Sequence, residues 1–304
     1  MSVTESPLST AIYDALGEPT EDLNSNLQGC SNEFCNGCTV GVYLTTNEDD
    51  TETTWRKLSS LPRSAHRCHI GFSGLHNFDI MAARSSEYGL ICDFNPNNKK
   101  FMDAVISAVQ LENSRERFIE KLEKVIKCIH EINPHFFSVN VSEEDSNDDA
   151  ILEWGNPAID FKKQTTKPTS WLYNDERFKH IQDMAKAGRI TAITEDIRHT
   201  GTFAHIAELY KKNGVIIDSL YVSNINRYMK SKEDQDAYTN TIFTLLQSDN
   251  PILIDCPIVK NASGQNVKFL SQRVTPLALD VFSHNKNQLF ITKNSSQNAL
   301  CTIL

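Results

Sequence analysis

The sequence predicts an α/β domain built on a parallel sheet, and three stretches carry that prediction. From His66 the chain reads HIGFSGLHNFDIMAARSSEYGLICDFNP, a strand, a tight turn, a helix and a second strand. The alternation returns from Ile190 to Val222, and Pro251–Cys256 (PILIDC) is a short, wholly apolar run. Strand–helix–strand at this spacing is a βαβ unit, which requires parallel strands and a right-handed crossover.

The elements follow in order. Strand one is Cys68–Phe72, its turn Ser73-Gly74, its helix Asn77–Ser86. Strand two is Gly89–Phe94, stopped by Asn95-Pro96. Helices follow at Lys100–Gln110 and Arg115–Ile132; in the second, Phe118, Leu122, Val125, Ile126 and Ile129 recur at helical spacing. Trp154–Lys167 has too little pattern to assign, and Asn174–Ala187 is a helix ended by Gly188. Strand three is Ile190–Ile197, then a helix over Thr202–Asn213, strand four at Val215–Val222 and a helix over Lys232–Leu246. Pro251–Cys256 is strand five, and Val267–Arg273 with Gln288–Thr292 fits a closing antiparallel pair. The acidic stretches Asn47–Thr54 and Val141–Asp149 read as solvated loops. The organisation is thus an irregular arm over 1–65 with one strand at Thr39–Leu44, an α/β domain over 66–293 with a helical insertion at about 100–187, and a flexible tail over 294–304.

Composition narrows the function. The 304 residues carry 30 basic and 39 acidic side chains, a net charge of −9, which is a poor match for nucleic-acid phosphates. No apolar run is long enough to span a bilayer, and MSVTESPLST lacks the basic start and apolar core of a secretory signal. Eight scattered cysteines in a chain of this size read as reduced thiols of a cytosolic protein.

In a parallel sheet of this kind ligands bind at the carboxyl ends of the strands. Gly71, Ser73 and Gly74 allow close backbone approach there, and Asn77 can cap the helix. Asp93 follows strand two, where an acid can accept hydrogen bonds from ribose hydroxyls; a plain turn Asp is the alternative. Glu195 and Asp196 follow strand three, and Ser223 and Asn224 follow strand four.

This layout resembles the S-adenosylmethionine-dependent methyltransferase fold. More narrowly, HIGFSGLHNFDIMAA…LICDFNP and ITAITEDIRHTGTFAHIAELYKKNGVIIDSLYVSNINRYM resemble a poorly characterised bacterial methyltransferase-like family, over about His66 to Met229. The resemblance implies a Rossmann-like methyltransferase-type sheet with a helical insertion after strand two. It implies a cofactor pocket of Gly71, Ser73, Gly74, Asn77, Asp93 and Asp196 for S-adenosylmethionine, with Ser223 and Asn224 facing the methyl acceptor. Ser73 stands where a second glycine is usual, and Leu75 replaces a polar residue; both favour a second reading, an inactive Rossmann-like module that binds a host protein through its helical insertion.

Two cysteine motifs stand apart. Cys30, Cys35 and Cys38, with His66, Cys68 and His69 downstream, have donors suited to zinc, although free thiols of an arm are the blander reading. Cys301-Thr302-Ile303-Leu304 forms a C-a-a-X box of the geranylgeranyl type, which makes a host prenyltransferase and a membrane surface expected partners. One lipid anchors marginally, and no polybasic run precedes it. A bacterial core with a eukaryotic lipidation box is the combination of an injected effector. Such a protein would sit on the cytosolic face of host membranes, or in the cytosol if unmodified.

Overall fold

The computed structural model describes residues 8, 11–12, 41–46, 48–134, 136–138, 156–248, 250–257, 259–260, 266–267 and 271–277. Its centre is a six-stranded sheet of β2 (Arg67–Phe72), β3 (Tyr88–Asp93), β5 (Ile190–Thr194), β6 (Ile216–Ser223), β7 (Ile252–Asp255) and β10 (Arg273–Pro276). The spatial order is β10-β7-β6-β2-β3-β5, with all neighbours parallel except the β10–β7 edge pair. Chain order reverses between β2 and β6, so their carboxyl ends flank the switch point of an α/β Rossmann-like sheet.

Alternation along each strand sends side chains to two faces. On one face α7 (Thr200–Lys212) and α8 (Lys232–Leu245) bury Phe203, Ile206, Tyr210, Tyr238 and Ile242 against Cys68, Ile70 and Phe72 of β2. Leu8 and Ile12 are buried in that cluster too. The opposite face carries α2 (His76–Arg84), α3 (Pro96–Leu111) and α6 (Asp175–Lys186). Between α3 and α6 the chain adds α4 (Arg115–Ile132) and α5 (Pro157–Thr165), so that four helices, α3 to α6, fill the stretch of about 100–187 expected as a helical insertion after the second sheet strand. Trp171 packs between Phe78, Phe118 and Phe178, at ring distances of 4.9, 5.4 and 6.0 Å, and so ties α2, α4 and α6 together.

Several expected boundaries move, each for a physical reason. Asn95-Pro96 ends β3 as expected, yet it also starts α3, because Asn95 accepts from Asn97 N and Pro96 needs no donor at the first helical position. Within Trp154–Lys167, α5 starts on an Asn156 cap with Pro157. The closing antiparallel strand is Arg273–Pro276, and it pairs with β7; residues 288–292 lie outside the described residues. Short β8 (Val259–Lys260) and β9 (Asn266–Val267) pair with each other.

The larger correction concerns the arm. The acidic stretch read as a solvated loop opens α1 (Thr51–Ser60), which buries Thr54 and Leu58 against α2, β7 and β10. Ahead of it β1 (Val42–Tyr43) pairs in parallel with β4 (Phe137–Ser138), and Val42 and Leu44 are buried in the cluster that holds α2 and α3. Val42, Tyr43 and Phe137 are residue types that favour strands, and the burial of Val42, Leu44 and Phe137 holds a ladder of only two pairs in place. Among the described residues no helix is long and apolar enough to cross a membrane.

Arg84, at the end of α2, is fully buried and binds Asp218 of β6 through two hydrogen bonds of 2.8 Å. Its other donors reach the carbonyls of Leu58, Leu61 and Pro62, which close α1. Arg84→Ala would strand the Asp218 carboxylate in the core. The expected loss is about 3–5 kcal/mol of unfolding free energy, read by urea denaturation.

Candidate functional site

The turn after β2 is organised by Asn77. It stands inside α2, not at its cap as expected: Leu75 holds the cap position and offers no side-chain bond. Asn77 Nδ2 donates to the carbonyls of Phe72, Ser73 and Gly74 at 3.2, 3.3 and 2.9 Å. Its Oδ1 is 3.1 Å from His69 Nε2, and His69 Nδ1 is 2.9 Å from Ser219 Oγ. Because the amide nitrogen is committed to carbonyls, Nε2 carries the imidazole proton and Ser219 donates to Nδ1. Burial lowers the His69 pKa to about 4, so the ring is neutral. Gly71 makes this possible, since a Cβ there would lie 1.7 Å from Asn77 Oδ1.

Gly74 also meets a close neighbour. A Cβ there would fall 1.7 Å from the backbone oxygen of Tyr43. The bare backbone of the turn thus receives the chain's own β1. Ser73, between the two glycines' neighbours, adopts φ 78° and donates its N–H to Cys92 O.

Across the switch point, Ser223 ends β6 at φ 50°. Its hydroxyl donates to Glu48 Oε1 at 2.5 Å. Tyr221 OH and Gln272 Nε2 donate to Glu48 Oε2 at 3.0 and 2.6 Å. Gln272 Nε2 lies 2.8 Å from His76 Nε2, and His76 Nδ1 bonds Asp79, whose other oxygen accepts from Trp171 N. Residues 42–46 and Glu48 therefore lie across the carboxyl ends of β2 and β6 as a strap. A cavity of about 30 Å³ beside Thr46, Glu48, His76 and Asp79 has room for water. Asn224 starts a short 3₁₀ turn, Ile225–Tyr228, with its carbonyl and not its side chain.

On the other side of β2, Asp93 ends β3 and Asp196 follows the end of β5 by two residues, where Glu195 N donates to Asp93 O. Their carboxylates are differently engaged. Asp93 Oδ1 accepts from Asn95 N at 2.8 Å. The residue keeps partial solvent contact, but dense surroundings desolvate the carboxyl and push its pKa up to about 7. Burial alone would raise Asp196 as well, but hydrogen bonds from the Arg198 side chain and backbone outweigh it and hold its pKa below the ordinary value. Nearby Asn98 Oδ1 and Thr194 Oγ1 are buried without a hydrogen-bond partner.

Cys68 is wholly buried on the α7 face, and desolvation pushes its thiol pKa up to about 12. Among the described residues no group of three or more His, Cys, Asp or Glu could hold a metal ion. Cys30, Cys35, Cys38 and Cys301 lie outside the described residues.

The site residues thus fall into two sets. Gly71, Ser73, Gly74, Asn77 and Ser223 converge on the switch point, while Asp93 and Asp196 sit one and two strands away. Glu48, Gln272 and His76 carry no local sign of their role in the sequence, and His69, named there only as a possible zinc donor, links Asn77 to Ser219.

A family model described as "Domain of unknown function (DUF7790)" matches residues 43–301. The chain belongs to this family. No curated protein matches the chain. Among solved structures it is similar to an O-methyltransferase family protein from Burkholderia thailandensis, at 10% identity and a TM-score of 0.30 over 70% of this chain. That match spans 39% of the other protein's length, less than two thirds.

S-adenosylmethionine does not fit the site with the strap seated. Tyr43 fills the space at Gly74, Glu48 takes the Ser223 hydroxyl, and Arg198 takes Asp196.

Two measurements check this geometry. Gly71→Ala should drive the new methyl into Asn77 and cost about 1–3 kcal/mol in denaturant unfolding. Asp93→Asn should raise Tm in a pH-dependent way. The folded wild type holds the Asp93 proton to about pH 7 and the unfolded chain only to about pH 4. Its stability therefore falls as pH climbs between those values, and the variant's advantage should be absent at pH 3.5, grow through that window and level off above it.

Proposed function

We infer that the protein acts as a Rossmann-like binding module, with its methyltransferase-like crevice closed by its own residues 42–46 and Glu48, and that it recognises a host protein through the helical insertion. The observation that supports this reading is the contact of Tyr43 O with the Gly74 turn, which packs that glycine against the chain's own backbone. The exposed large apolar side chains support the second half. Leu111, Val125, Ile132, Ile159 and Tyr173 belong to the inserted helices and their connections, whereas Ile216 and Tyr228 alone lie elsewhere among the described residues. Surfaces that mix such residues with charge suit protein contacts. Titration calorimetry with S-adenosylmethionine is the direct test: the wild-type protein should give no saturable heat, and saturable micromolar binding would return the methyltransferase reading to first place.

The C-a-a-X ending supports a second element of the proposal, delivery to host membranes by a geranylgeranyl group on Cys301. Each buried methylene of such a chain contributes about 0.8 kcal/mol to partition. Cys301→Ser should move the protein from the membrane fraction to the cytosol of a eukaryotic cell. Equal fractions for both forms would remove the anchor.

A further inference from the structure

We propose that the crevice between the ends of β2 and β6 is a binding site for a small carboxylic acid, occupied in cis by Glu48 and opened to such a ligand when the strap lifts. The proposal rests on the closed-crevice reading and adds the ligand class and the way the site is held shut.

The first support is the donor set. Three neutral donors from three separate parts of the chain, Tyr221 OH, Ser223 Oγ and Gln272 Nε2, converge on one carboxylate within 3.0 Å. The Cys256 thiol adjoins the same group, and Glu48 raises its pKa further above the level that burial sets. Glu48 is 94% buried (relative exposure 6%), yet among the described residues no Lys or Arg forms an ion pair with it. A ring of hydroxyl and amide donors is what reversible recognition of an anionic oxygen pair uses.

The second support is a buried acceptor. Gln272 is 92% buried (relative exposure 8%), and its Oε1 has no hydrogen-bond partner. The amide cannot flip to cure this, because Oε1 would then face the Glu48 carboxylate. An acceptor left unmatched beside a filled donor ring is accounted for by a ligand that brings a donor as well as an acid group, such as a hydroxy acid.

The third is the hinge. Asp50, at the junction of strap and α1, is held at φ 60° with no side-chain capping bond, and β1 joins β4 by only two residue pairs. Lifting the strap breaks this ladder and the Glu48 bonds, withdraws Val42 and Leu44 from the core and parts Asp49 O from Gln272 N. The cavity beside Thr46, Glu48, His76 and Asp79 already reaches the carboxylate.

The test replaces Glu48 and offers free acids in its place. Tm of Glu48→Ala should rise by several degrees in millimolar acetate, propionate or lactate relative to chloride at equal ionic strength, with lactate most effective because its hydroxyl can reach Gln272. Wild type should show no such shift. No response of Glu48→Ala to any of the three acids would overturn the proposal. Glu48→Gln keeps the shape and guards against a poorly folded Ala variant. Hydrogen exchange at the Val42 amide, which bonds Phe136 O, should rise at least tenfold in it while β6 amides stay protected. Unchanged Val42 exchange would equally sink the strap as a releasable element. Acid-insensitive Glu48→Ala leaves the binding-module reading standing, whereas S-adenosylmethionine heat from wild type removes that reading without touching the acid response.

Discussion

The buried pair of Arg84 and Asp218 sets the frame on which the rest is hung. A guanidinium in the core must have its donors met, and here a β6 carboxylate and three carbonyls at the end of α1 meet them. The pair thereby locks three elements that have no sequence continuity: the end of α2, the end of α1 and the start of β6. Fixing α1 at its C-terminus fixes where its N-terminus points, and hence where the strap crosses the sheet. Planarity matters here, because a lysine could not reach all five acceptors from one rigid fork.

At the other end of α2 the same logic operates with neutral groups. Asn77 gathers the three carbonyls of the turn, and His69 relays its oxygen to Ser219. The turn is rigid because it is fully bonded, and Gly71 is the vacancy that admits the amide. A glycine-bearing turn of this kind looks in sequence like a cofactor loop. In this protein the two glycines serve contacts within the chain, one for an amide side chain and one for a neighbouring backbone.

Local chemistry explains what was legible in the sequence. Helix α4 begins and ends where its pattern does, since Ser114 caps it and Phe118, Leu122 and Ile126 define its buried face. The parallel strands were readable because their central residues are apolar on both faces. Helix α1 was not, because Thr and Glu dominate its first turn and its stability comes from Leu58 and from Arg84 at its last carbonyls. Glu48 was the least readable residue of all. It sits in an acidic run typical of solvated loops, and only the tertiary fold brings Tyr221, Ser223 and Gln272 to it. Asp196 shows the opposite case, a residue in the expected place whose carboxylate is claimed by a neighbour two positions away.

The strap also imposes an order on how the molecule comes into being. Glu48 is separated by 173, 175 and 224 residues from Tyr221, Ser223 and Gln272. A chain synthesised from its N-terminus exposes Glu48 long before those partners exist, and contacts at such separation close late. The β2–α2–β3 unit can form while the nascent chain still lacks β6 and β10. Until the last strand is laid down the crevice stands open, and its closure is a terminal event in the maturation of the fold.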